Sequence, residues 1–205
     1  MSHLHTLLTS LLLFANTAVG QSEKPPYTLP SPKGWARETI ALPPAFAPGM
    51  AWKGTEDIRF APGMFKPDSD TFFSYALVFW LPDDQKVDAK TMEKELLAYY
   101  RGLAKAVLKG KKQEADEGKF TLNVKDNPVK ADKRGDGEVI SSCVGELKWI
   151  EPFATGKEQT LRLEIQTWHC EKQKHHCVFL CVSPTSEESA VWKSLREIRT
   201  GFTCP

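Results

Sequence analysis

Fourteen residues, Trp168-His169-Cys170-Glu171-Lys172-Gln173-Lys174-His175-His176-Cys177-Val178-Phe179-Leu180-Cys181, hold three of the chain's five cysteines and three of its five histidines. Thiol and imidazole at this density can do three kinds of chemistry. Cysteines close in space bridge in an oxidising compartment. Sulfur and nitrogen ligands together suit zinc or copper. A thiol beside an imidazole can serve as a nucleophile.

Alternation along a β-hairpin ranks these possibilities. Pairing Cys170 opposite Cys177 puts Leu161, Leu163, Ile165, Val178, Leu180 and Val182 on one face. Gln166, Trp168, Phe179 and Cys181 then share the other face with the two cysteines, and a one-residue slip would scatter both sets. Cys170 and Cys177 become neighbours at the loop end, so they are the disulfide candidates. Cys177 and Cys181, four residues apart on one strand, would lie about 13 Å apart, beyond bridging reach. Five cysteines is an odd number, so at least one stays outside any bridge. The metal alternative takes His169, His175, His176 and Cys181 as ligands for Cu or Zn. Its spacing, His-Cys-x4-His-His-Cys-x3-Cys, has no CxxC knuckle, and alternation points His169 and His176 away from the cysteines unless the loop curls back. The same alternation opposes a direct Cys–His nucleophile.

Other motifs carry less. No Gly-x-Ser-x-Gly elbow and no Gly-rich phosphate cradle occurs. Asp68 and Asp70 suit turns, and the charged stretch 132–138 lacks calcium-loop spacing and fits a solvated hairpin tip. Trp80 and Trp192 sit in core patterns, whereas Trp35, Trp52 and Trp149 lie nearer loops or strand ends and form a candidate ligand pocket.

The elements that position these residues begin with an export signal over residues 1–20. An apolar run at 7–15 is too short to span a bilayer, and Ala18-Val19-Gly20 supplies a small-x-small cleavage pattern. Removing 20 residues from 205 leaves 185, secreted or periplasmic, enough for one domain that buries roughly 70% of its unfolded surface. The formal charge of +1 gives no electrostatic case for nucleic acid. No later run approaches the about 20 apolar residues of a membrane helix, so no integral membrane segment is expected after cleavage. Residues 21–50 are Pro-rich and should run extended, anchored by Trp35, Ile40, Leu42 and Phe46, ahead of a single domain over 51–205. Phe-Ala-Pro-Gly-Met occurs at 46–50 and again at 60–64, each Pro-Gly fitting a type II turn with glycine at positive φ.

Within the domain, the stretch 71–81 is apolar on both alternating faces and reads as a central strand. Asp88 caps a helix to about residue 109, burying Met92, Leu96, Tyr100, Leu103 and Val107. Strands follow at 119–125 and 138–150, then the hairpin of 160–170 with 176–183. Ser186 caps a closing helix over 187–199. The pattern predicts an α+β fold, an antiparallel β-sheet with a helix packed on each face (an α/β/α sandwich). This order, with its Pro-rich lead-in and short last helix ending in an aromatic, resembles the PsbP-like and DcrB-like sandwich over residues 35–202. The resemblance implies an exported or accessory binding protein rather than an enzyme, and it carries no functional residue across. The expected function is therefore an exported single-domain binding or accessory protein for an unidentified small molecule or protein. Metal handling by the 169–181 cluster is the alternative, and a hydrolase with an unrecognised site is a further one.

Overall fold

The computed structural model describes residues 25–127, 133–134 and 137–204. The export signal expected at 1–20 and most of the charged loop at 126–137 lie outside them. Among the described residues eight strands occur: β1 (Ala36–Leu42), β2 (Gly54–Phe60), β3 (Tyr75–Pro82), β4 (Thr121–Asp126), β5 (Lys133–Arg134), β6 (Gly137–Ile150), β7 (Glu158–Cys170) and β8 (His175–Ser183). Helix α1 (Ala89–Gly110) follows β3, and α2 (Ala190–Thr200) follows β8. Seven strands form one antiparallel sheet in the order β1-β2-β3-β8-β7-β6-β4, and β5 pairs with β6 alone. The chain is thus α+β with an antiparallel sheet. No helix among the described residues is long and apolar enough to cross a membrane.

Alternation along the strands feeds two separate cores. Tyr75, Leu77, Phe79 and Leu81 of β3, with Val178, Leu180 and Val182 of β8, join Met92, Leu96, Tyr99, Tyr100 and Ala104 of α1. Ala76, Val78 and Trp80 of β3, with Cys177, Phe179 and Cys181 of β8, join Val191, Trp192, Leu195 and Ile198 of α2. The α1 core runs across to Leu122 of β4 and to Cys143, Leu147 and Trp149 of β6. The α2 core stops at β7. Beyond it Val144, Glu146 and Lys148 of β6 and Thr121 and Asn123 of β4 are exposed.

Three departures from sequence expectation have physical causes. The central strand begins at Tyr75 because residues 71–73 form a turn, with Phe73 at φ 48°. That left-handed conformation is costly for a bulky residue. Burial of its ring against Trp149 (5.1 Å), Phe153 (5.8 Å) and Tyr75 (5.8 Å) holds it there. The lead-in is not merely extended, since it contributes the edge strand β1. Its first four residues are exposed, so no apolar alternation marks it. Tyr27, Leu29 and the expected Leu42 are buried, whereas the expected anchors Trp35, Ile40 and Phe46 are only partly so. The closing helix starts three residues later than expected, because Ser186 opens a turn, its carbonyl accepting from Ser189 N, and Ser189 takes the N-cap position. Asp88 does cap α1, its carboxylate accepting from Thr91 N at 2.8 Å. Both Ala-Pro-Gly-Met turns close, but only Gly63 takes positive φ, at 87°.

Candidate functional site

The β7–β8 hairpin pairs Trp168 with Cys177, His169 with His176 and Cys170 with His175. This is two residues away from the expected register. A 3-10 turn at Glu171–Gln173 and a left-handed Lys174 (φ 52°) close the hairpin tightly. An even offset preserves the faces, so the cysteines still lie opposite the aliphatic set.

The bridge itself differs from expectation. Cys170 is disulfide-bonded to Cys204, with Cα atoms 6.0 Å apart, and Cys177 keeps its thiol. Packing delivers the C-terminal tail to this spot. After α2 the chain turns at Gly201, and buried Phe202 meets Trp168 at 5.5 Å and Phe179 at 5.9 Å. Thr203 then pairs with Thr28 through two backbone hydrogen bonds of 2.9 and 3.1 Å. Cys177 Sγ nevertheless lies only 3.4 Å from Cys170 Sγ. Burial pushes the Cys177 thiol pKa well up, and the sulfurs of Cys170, Cys177 and Cys204 all fall within 4.8 Å of one another.

The residues proposed as metal ligands do not converge. His169 receives Asp83 Oδ1 at Nε2 (2.6 Å) and Glu171 Oε1 at Nδ1 (2.8 Å). Glu171 first, then Asp83, raises its pKa, so carboxylates occupy both nitrogens and leave no lone pair for a metal or a substrate proton. His176 sits beside it, ring centres 5.0 Å apart. Burial first, then the His169 charge, lowers the His176 pKa. His175 lies on the opposite face, stacked on Trp80 at 4.7 Å with Nδ1 at Gln173 O. Cys181 is further down β8, 3.9 Å from an Arg199 nitrogen. Among the described residues, the group that gathers three ligand atoms is Cys170, Cys177 and Cys204.

The tryptophan pocket is corrected as well. Trp35 packs against the α2 core, while Trp52 and Trp149 belong to the α1 core. Their indole N–H groups donate internally, Trp52 to Lys86 O at 3.0 Å and Trp149 to Gln159 Oε1 at 3.1 Å.

A different cavity opens where the α2 core stops. About 210 Å³ in volume, it is lined by Asn127, Ser142, Cys143, Glu164, Gln166, Arg196 and Arg199. Arg196 grips Glu164 Oε1 through Nε (2.9 Å) and Nη2 (2.5 Å), and Arg199 Nη1 reaches Oε2 at 2.8 Å. Desolvation raises the Glu164 pKa, but the two guanidiniums outweigh it and hold the carboxyl below its ordinary value. Gln166, only 7% exposed, has a buried Oε1 with no hydrogen-bond partner among the described residues. Such an acceptor costs about 1–3 kcal/mol when left unsatisfied. Sequence reasoning missed this site because nothing in the spacing of Glu164 and Gln166, or of Arg196 and Arg199, shows that the two pairs meet. Two other buried carboxylates, Glu95 and Glu151, have local backbone partners. Glu95 accepts from Ala51 and Trp52 N–H, and Glu151 from the N–H groups of Phe153, Ala154 and Thr155. Compared with family models, curated proteins and solved structures, the chain matches none.

Proposed function

We propose that this chain is an exported, non-enzymatic binding or accessory protein whose ligand is a small polar molecule carrying a carboxylate or phosphate. The observation that carries this reading is the unsatisfied Gln166 oxygen at the wall of a cavity that also presents Arg196 and Arg199. Guanidinium forks match the planar oxygens of carboxylate and phosphate. The cavity holds two cations against one carboxylate, which favours an anion, and Gln166 offers an acceptor to a donor on the same molecule. Against an enzyme stands His169, whose two nitrogens are both committed to carboxylates. The finer architecture belongs to the same proposal: an α/β/α sandwich of PsbP-like or DcrB-like type, one helix on each face, supported by the division of α1 and α2 between two cores. Secretion or periplasmic location rests on residues 1–20.

The test is Gln166→Leu in thermal-shift measurements against a panel of small carboxylates and inorganic phosphate. The variant should be more stable than the native chain by about 1 kcal/mol, since it removes an unsatisfied acceptor, and should lose the ligand-induced shift. A native chain that responds to no member of the panel, or a variant that is destabilised and still binds, overturns the reading. A second reading, a soft-metal protein binding Cu or Zn, is favoured by the three convergent sulfurs. It requires reduction of the disulfide, and elemental analysis of reduced protein must then show one equivalent of either metal.

A further inference from the structure

Cys170 has two sulfur neighbours and can bond only one of them at a time. We infer that Cys177 is an internal exchange partner for the Cys170–Cys204 disulfide, and that the chain carries two alternative bridges that clamp or release its C-terminal tail. The geometry is a thiol 3.4 Å from a disulfide sulfur, with all three sulfurs within 4.8 Å. The surround is apolar and closed, built from Trp168, Phe179 and Phe202, so competing small thiols are excluded while the internal one stands 3.4 Å from Cys170 Sγ.

The step balances without an added oxidant or reductant. The Cys177 thiol gives its proton to solvent base, and its sulfur forms a bond to Cys170 Sγ. The Cys170–Cys204 bond breaks, and the Cys204 thiolate takes up a proton. One disulfide and one thiol are present before and after. The two bridges constrain different things. Cys170–Cys204 closes a sequence separation of 34 residues and fastens the tail. Cys170–Cys177 would span 7 and only staple the hairpin mouth. In the swapped state Phe202, the Thr28–Thr203 pairing and the Tyr27 anchor beside it lose their covalent support. Burial holds Cys177 as a thiol, so exchange waits on opening of the tail, and opening is what the swap then makes lasting.

Trypsin separates the three cysteines into distinct peptides, 163–172, 175–193 and 200–205. Cys181 shares the second, so the experiment uses a Cys181→Ser background. Oxidised full-length protein is held at about pH 8.5, where a thiol ionises once the tail opens and solvent reaches it, with iodoacetamide present, then quenched and digested without reduction. The expected result is slow alkylation of Cys204 together with appearance of the 163–172 peptide linked to 175–193. Adding Cys177→Ser should cut Cys204 alkylation by about tenfold or more, because the attacking sulfur is gone. Equal alkylation of Cys204 in both proteins overturns the inference. Should Cys177→Ser fail to fold, Cys204→Ser answers the same question. Isolated under oxidising conditions, it should carry a Cys170–Cys177 bridge, and two alkylatable thiols at those positions overturn the inference.

Discussion

The sheet face under α1 and the face under α2 solve burial by different means. The α1 side is continuous from β2 to β4 and is dominated by aromatic rings, with Phe73, Tyr75, Phe79, Tyr99, Tyr100, Phe120 and Trp149 in one cluster. One of its buried ionisable groups, Glu56, sits under a Tyr99 hydroxyl at 2.9 Å. The α2 side is smaller and heteroatom-rich. It contains the sulfur trio, the Asp57–Arg59 ion pair at 2.5 Å and the Glu164 carboxylate between two arginines. Apolar burial stabilises most of the first face, whereas the second depends more on paired groups that fail badly when one partner is removed. The proposed ligand site lies on the second face for the same reason, since polar groups held at a core boundary can be offered to a ligand.

The sharpest way to break this contrast is Asp57→Ala. Arg59, which also donates to Leu29 O at 3.2 Å, would be left as a buried uncompensated cation. The expected loss is about 3–5 kcal/mol in urea unfolding. A loss below about 1 kcal/mol would mean that the α2 side does not rely on its ion pair. Gly102→Ala probes the α1 side in the next size range. A Cβ there would strike Phe46 O and Ala47 Cα, where α1 runs against the 46–47 segment. Overpacking should cost about 1–3 kcal/mol by the same measurement, and a neutral result would show that this segment yields.

The third effect is electrostatic and shows as a slope of about 1.4 kcal/mol per pH unit. Burial first of all raises the Glu56 pKa to about 8, while an unfolded glutamate ionises near about 4.3. Between those values the folded state holds a proton the unfolded state has lost. The stability from Glu56 is therefore full below about pH 4.3 and declines as pH rises through 8. Urea midpoints of Glu56→Gln should be flatter over that window than those of the native chain. Parallel curves would place the pH response elsewhere.

Much of this architecture was legible in the sequence wherever periodicity was strong. The double-sided strand, the Asp88 cap and the two faces of the closing hairpin follow from apolar spacing at two and about 3.6 residues. What stayed hidden lacked a local signal. Strand β1 is exposed along its first four residues, so nothing in its alternation marks it. The partner of Cys170 is fixed by where α2 and Phe202 dock, a tertiary matter that no spacing encodes. The hairpin offset arises from one left-handed lysine, a conformation that side-chain type does not announce. The Gln166 cavity forms at the limit of a core, and that limit depends on the length of α2 relative to the width of the sheet.

The Thr28–Thr203 pairing has a mechanical meaning. Both ends of the folded body leave from one corner, so tension applied across them peels a two-residue contact open instead of shearing a strand. The covalent tie to Cys170 then arrests that peeling, and a chain segment with a reach of about 110–120 Å, the 34-residue separation between the tied sulfurs, never comes under load.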